Sequence, residues 1–424
     1  MSRLLLRRSQ AAAVAVAIAL ASGDASGQTT SPPAPRPPAP EVDTGYVVYG
    51  GAVSLPLGVG FRLPSYNRVD GVVLPWGPKI TLRDGALEID PTATYRSHIG
   101  VIDPYVVARF DFGQRNEVKI EGGRSTFTND AWIRSDLVNS AAALFVGSDA
   151  RNYFRADRVV STFSHRFDAA PFTVTPSVGA LFENAWSTGS PIRHTSAPFS
   201  VLGRSDTLKL RRPNPEVARG HTASGLGRVD VMYDRDETTF GLDGRIEVAF
   251  DGPEGLFRIA TLSSGAAVQC CGPGDGYTDG FTQLTFGSKA GFRTFGTQRF
   301  DFRGHAVITP GDEAPPQRYA YLGGAGTLAT VDLLALGGDN LMYVEGEYSI
   351  PLLRPILPFV GAPILSVRYA AGGAGIGDFP DLIQNIGVGI GVRLLKAEYH
   401  IDPNYRKTTF SKKNAFSIGV SLSL

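Results

Sequence analysis

The chain has 424 residues, with 41 Lys and Arg against 40 Asp and Glu and a formal charge of +1. That balance excludes the basic footprint of a nucleic-acid binder and any single-signed field for an acidic substrate. Gly (50) and Pro (29) are abundant, above the share of roughly 12% that an average protein gives them, and Phe (24) and Tyr (15) accompany them. Such a composition suits strands broken by turns. The two cysteines, Cys270 and Cys271, are adjacent, so no disulfide framework or spaced thiolate site can be drawn. The six histidines (His98, His165, His194, His221, His305 and His400) show no metal-ligand spacing, and no cofactor is expected.

The N-terminus carries a basic patch (Arg3, Arg7, Arg8), an apolar run over residues 11–21 and the small-residue site Ala25-Ser26-Gly27. This is the pattern of a cleaved export signal over residues 1–27. The run is too short to cross a bilayer, which takes about 20 apolar residues. Residues 28–44, including SPPAPRPPAP at 31–40, follow as a Pro-rich extended periplasmic linker.

From residue 45 to 424 the recurring period is two. Over 240–250, Phe240, Leu242, Ile246, Val248 and Phe250 share one face, and Gly241, Asp243, Arg245, Glu247 and Ala249 the other. Near 299–308, Phe300, Phe302, Ala306 and Ile308 oppose Arg299, Asp301, Arg303 and His305. Further on, Met342, Val344, Tyr348 and Ile350 oppose Glu345, Glu347 and Ser349, while Ala397, Tyr399 and Ile401 oppose Lys396, Glu398 and His400. Earlier, Arg109 and Asp111 alternate with Val106, Ala108, Phe110 and Phe112. The last segment sets Phe416, Ile418, Val420, Leu422 and Leu424 on one side and Ser417, Gly419, Ser421 and Ser423 on the other. Breakers such as Asp251-Gly252-Pro253 and Thr309-Pro310-Gly311-Asp312 separate the runs. At about 24 residues per strand with its turn, the segment accommodates about 16 strands. Sandwiches and propellers alternate too. Export, charges of both signs on the polar faces, and an apolar final strand favour an all-β transmembrane antiparallel barrel of outer-membrane type, facing lipid outside and water inside.

The stretch Tyr321-Leu322-Gly323-Gly324-Ala325-Gly326-Thr327-Leu328, then Gly337-Gly338-Asp339-Asn340, then the strand Val344-Glu345-Gly346-Glu347-Tyr348-Ser349-Ile350-Pro351-Leu352, resembles the bacterial surface antigen superfamily. These are the barrels of outer-membrane assembly factors and two-partner-secretion translocators. Residues 66–71 (YNRVDG) and 139–155 are similar to segments in a subgroup of the same superfamily. The resemblance implies a loop folded inward, carrying Gly323, Gly324 and Leu328. Family loops usually place an Arg after the Leu, and this chain has Ala329 there. A charge-assisted anchor is therefore expected to be missing, with apolar contact and turn geometry holding the loop in its place. The family's periplasmic repeat (POTRA) domains are also expected to be absent.

The readings drawn from this are an integral outer-membrane barrel for outer-membrane protein assembly or substrate passage, with a passive pore and a non-transporting surface antigen as alternatives. Outer-membrane lipid is the expected partner, with periplasmic accessory proteins or unfolded clients implied by the resemblance. The candidate lumen charges are Arg245, Arg299, Arg303, Glu345 and Glu347, which either set ion selectivity or satisfy one another in water. Phe416, Ile418, Val420, Leu422 and Leu424 form the candidate closing stripe. No nucleophile elbow or phosphate-cradling Gly-Lys loop is present, and no enzymatic activity is expected. For Cys270 and Cys271, a vicinal disulfide and free thiols both remain open.

Overall fold

The computed structural model describes residues 47–48, 53–188, 212, 214–251, 259–261, 267–269, 280–352, 362–379, 381–392 and 395–420. The segments expected to be an export signal and a Pro-rich linker, together with Cys270, Cys271, Leu422 and Leu424, lie outside the described residues.

The alternating sequence forms one antiparallel sheet of twenty strands. Its long members pair in chain order: Leu87–Arg96, Val101–Phe112, Asn116–Phe127, Phe154–His165, Phe172–Ser187, Gly220–Arg235, Thr238–Asp251, Thr282–Arg293, Arg299–Ile308, Asn340–Pro351, Ile364–Gly375, Ile383–Val392, Leu395–Ile401 and Asn414–Val420. The strand count exceeds the sequence expectation because some members are short pieces sharing one neighbour. Lys79–Leu82 and Gly71–Trp76, for example, divide the edge of Leu87–Arg96 between them.

The two faces of the sheet differ as the alternation requires. Phe250 is 73% exposed while Glu247, three residues earlier on the other face, is buried at 3%. Ile102, Val178, Phe182, Val388 and Phe416 are likewise exposed on outward positions along the ladder. An outer apolar belt around a charged inner face inverts the arrangement of a water-soluble sheet, and the bilayer is the solvent that makes it favourable. Among the described residues no helix is long and apolar enough to cross a membrane. The chain is thus a transmembrane antiparallel β-barrel of outer-membrane type.

At one end the strands turn tightly, at 113–115, 236–237 and 294–298. At the other, two long connections, 128–153 and 309–339, fold back into the space the sheet encloses. The second forms a hairpin, Ala320–Leu322 pairing with Leu336–Gly338. The first contains the α-helix Asp136–Ala141, continued by a wider turn over Ala142–Val146 and stopped by Gly147 in the left-handed conformation. Side chains of these segments touch strands from widely separated places in the ladder. Arg318 meets Phe172–Ser187 and Thr238–Asp251, Trp132 meets Arg299–Ile308 and Asn340–Pro351, and Thr330 meets Ile383–Val392. Only a sheet curled around the two segments allows this. The apolar residues Leu322, Leu328, Val331 and Ala335 of the second segment form the core with Val307, Leu341, Tyr343 and Ala370 of the wall, and Trp132 of the first packs against it.

Candidate functional site

The site is the lumen and what occupies it. The hairpin loop depends on glycine at its bend. Gly323 and Gly324 have φ of +125° and +87°, and a Cβ on Gly323 would stand 2.1 Å from the Asp332 carbonyl oxygen. Leu328 is fully buried, and Ala329 lies beside it on the same loop.

The loop tip is anchored by charge, contrary to the expectation that apolar contact and turn geometry hold it in place of a charge-assisted bond. The anchors come from the wall. Arg303 donates to the carbonyl oxygens of Gly326 (2.8 Å) and Ile133 (3.1 Å), and Arg368 to that of Thr327 (2.8 Å). Both guanidiniums share one acceptor, Glu345 Oε2, at 2.8 and 2.6 Å, and the Tyr343 hydroxyl donates to the same oxygen. Arg303 and Glu345 face each other across neighbouring strands, which is what places the pair at one height in the lumen. The physical reason for the correction is that an arginine spans the gap equally well from wall to loop. Ala329 removes only one of the two ways to make the bridge.

A second anchor runs from the hairpin's own stem to the wall. Arg318, in the short turn Pro316–Arg318, donates through Nη1 to Glu183 (2.8 Å) and through Nη2 to Glu247 (3.0 Å). Glu183 also takes Arg158 at 2.9 Å, and Glu247 takes Arg245 at 3.0 Å and the Ser224 hydroxyl at 3.0 Å. The two carboxylates, on Phe172–Ser187 and Thr238–Asp251, hold Arg318 strongly protonated despite its burial.

Below the loop tip a cavity of about 940 Å³ extends toward the tight turns. Strands from Gly220–Arg235 through Asn414–Val420 contribute to its lining. Arg299 is there with Asp301 (2.7 Å), as is Glu347, whose partner is Lys396 (2.5 Å), itself 2.9 Å from Glu398. Of the five candidate lumen charges, Arg303 and Glu345 thus meet the loop, Arg299 and Glu347 line the cavity, and Arg245 sits against Glu247 nearer the stem. On the final strand Phe416 and Ile418 are exposed, and Val420 pairs with Leu395.

Sequence reasoning missed four contributors. Arg368 lies on the polar side of Ile364–Gly375, where Ala370, Ala371 and Gly373 blur the alternation that would have exposed it. Arg318 stands in a Pro-rich connection with no period at all. Trp132 stacks on His305 with ring centroids 4.2 Å apart. Asp130, fully buried, joins the two lumen segments by accepting from the backbone N–H of Asn152 (2.8 Å) and of Tyr321 (3.2 Å).

No family model and no curated protein sequence matches the chain. Among solved structures it is similar to CdiB from Acinetobacter baumannii (11% identity, TM-score 0.43, 84% of this chain and 58% of that one) and CdiB from Escherichia coli (12%, 0.45, 84% and 60%). It is also similar to OccAB3 from Acinetobacter baumannii (9%, 0.32, 82% and 90%). The chain spans about three fifths of the length of the two CdiB proteins. These scores are too low to decide more than the kind of fold already evident from the ladder.

Proposed function

We propose that this chain is an outer-membrane barrel of the surface-antigen type that passes a substrate through its wall only when the lumen hairpin is displaced. The observation that carries this reading is the anchoring of residues 326–327 across the lumen by Arg303 and Arg368, above an otherwise open cavity. A passive pore needs a permanently open path, and the two inserted segments argue against one. The short turns mark the periplasmic end and the long connections the outer end. The export signal over 1–27 and the apolar belt support placement in the outer membrane, with bilayer lipid as the standing partner. Charges of both signs around the cavity suit an extended polypeptide client better than a small ion of one sign.

Planar-bilayer recording tests the reading. The purified barrel should conduct little, and deletion of residues 325–336 should raise single-channel conductance. Unchanged conductance after the deletion would sink it. Loss of other outer-membrane proteins on depletion, with conductance silent in both forms, would favour assembly over passage.

A further inference from the structure

Close to the outer end, the helical segment and the residues leading into Gly220–Arg235 enclose a group of hydrogen-bond donors that lack acceptors. Arg68 is 3% exposed and Asn152 7%. Arg68 Nη2 donates to Asn214 Oδ1 (2.5 Å) and lies 3.4 Å from Asn152 Oδ1. Arg212 donates through Nη1 to Asn152 Oδ1 (2.5 Å) and through Nη2 to the Arg151 carbonyl oxygen (2.9 Å). Among the described residues neither guanidinium has a carboxylate partner. Arg68 Nε and Nη1, Arg212 Nε and Asn152 Nδ2 are buried and make no hydrogen bond.

The acids nearby are committed elsewhere. Asp149 accepts from the Arg68 backbone N–H (3.0 Å), Asn139 Nδ2 (2.9 Å) and the Tyr153 hydroxyl (2.9 Å). Asp130 takes two backbone N–H groups, and Asp136 takes Arg151 (2.6 Å). Burial, with the like charge of Arg68 beside it, pulls the Arg212 guanidinium down to about 9. Neither the buried Arg68, which also stands over the Tyr153 ring, nor the half-buried Arg212 has a carboxylate in hydrogen-bond contact among the described residues, and the buried atoms of Arg68, Arg212 and Asn152 left without a partner are all donors. A small anion corrects both defects at once, and planar guanidinium forks match the oxygen spacing of a tetrahedral oxoanion.

We propose that a single inorganic oxoanion of the phosphate or sulfate class binds between Arg68 and Arg212, with Asn152 Nδ2 as a third donor. The near-complete burial of Arg68 fits a free ion and not the headgroup of a lipid. Such an ion would tie three distant stretches of chain together, residues 66–71, the helical segment and the start of Gly220–Arg235. It is independent of whether the barrel transports anything.

Equilibrium dialysis of radiolabelled inorganic phosphate against the purified, detergent-solubilised full chain provides the test. One saturable site per chain is expected. Arg68→Gln and Arg212→Gln should each weaken binding by about tenfold or more, the loss of one charge-assisted contact. Arg124→Gln, which removes an exposed ion pair with Asp157, should leave binding unchanged. Should either site variant fail to fold, competition on the unaltered protein decides: sulfate should displace phosphate and chloride at equal ionic strength should not. Absence of saturable binding, full binding in both site variants, or equal displacement by chloride would overturn the proposal.

Discussion

The two segments that enter the lumen from the same end are held by different chemistry. The 309–339 hairpin is bound by three guanidiniums: its own Arg318 reaches wall carboxylates, and the wall's Arg303 and Arg368 reach its carbonyls. The 128–153 segment mixes guanidinium bonds to neutral oxygens, from Arg303 to the Ile133 carbonyl and from Arg212 to the Arg151 carbonyl and Asn152, with neutral contacts. Ser140 Oγ donates to the Tyr66 carbonyl oxygen (3.0 Å), Asn139 Oδ1 accepts from the Ala150 N–H (2.9 Å), and Trp132 stacks on His305. Charge-assisted bonds are roughly twice as strong as neutral ones, but losing one partner leaves the other charge buried. The hairpin, whose guanidiniums are matched by the buried carboxylates Glu183, Glu247 and Glu345, should therefore fail more abruptly than the helical segment, whose guanidinium bonds end on neutral oxygens.

The most damaging single change should be Glu345→Ala. It leaves Arg303 and Arg368 facing each other without their shared acceptor, at an expected cost of about 3–5 kcal/mol in denaturant unfolding. Open events in a bilayer should become frequent. If stability and conductance both stay as they were, the hairpin is not held by charge. Arg318→Ala should come next, at about 2–3 kcal/mol, because Glu183 keeps Arg158 and Glu247 keeps Arg245 as partners. Arg318→Lys should recover only part of the loss, since an ammonium lacks the planar fork that offers Glu247 both Nε and Nη2 while Nη1 meets Glu183.

Asp130 sits where the two segments meet, so it tests whether they act together. Burial is the main cause that pushes its carboxyl from 3.8 up to about 7, against the pull of the Asn152 and Tyr321 N–H groups. The folded chain then holds a proton that the unfolded chain releases. Stability from this group is complete in acid, declines as pH rises from about 4 and is flat again above about 7, with a slope of at most about 1.4 kcal/mol per pH unit. Unfolding midpoints measured across that window should show the decline, and Asp130→Asn should abolish it. An equal slope in the variant would assign the pH dependence to other groups.

Most of the wall was legible from sequence, because a strand with lipid on one side and charge on the other writes its period into every second residue. The strand 240–250 is an example: Leu242 and Phe250 are exposed on the apolar face, and Glu247 and Ala249 are buried on the other. The loop at Gly323-Gly324 was legible only through the family resemblance, and the positive φ of both glycines shows why that bend takes glycine. What escaped was the matching of charges across sequence distance. Nothing local to Ala329 says that Arg303 and Arg368 replace the anchor it lacks, and nothing local to Pro316 says that Arg318 finds Glu183 on a strand 135 residues earlier. The helix Asp136–Ala141 escaped because six residues are too few for a 3.6 period to stand out from neighbouring apolar positions.

The smallest expected effect comes from that helix and sharpens the contrast most directly. Ser135 caps it, its hydroxyl oxygen accepting from the Val138 N–H at 3.4 Å, a long and therefore weak bond. Ser135→Ala should cost about 0.5–1 kcal/mol, since the first-turn Asp136 still favours the helix start and still pairs with Arg151. The loss should be local. Amide exchange should quicken over 135–141 and stay unchanged over 320–338, and conductance should match that of the unaltered protein. Faster exchange in the hairpin as well would mean that Asp130 and the Trp132 stack couple the segments into one unit. The hairpin would then owe part of its hold to the contacts of Asp130 and Trp132, in addition to Arg303, Arg318 and Arg368.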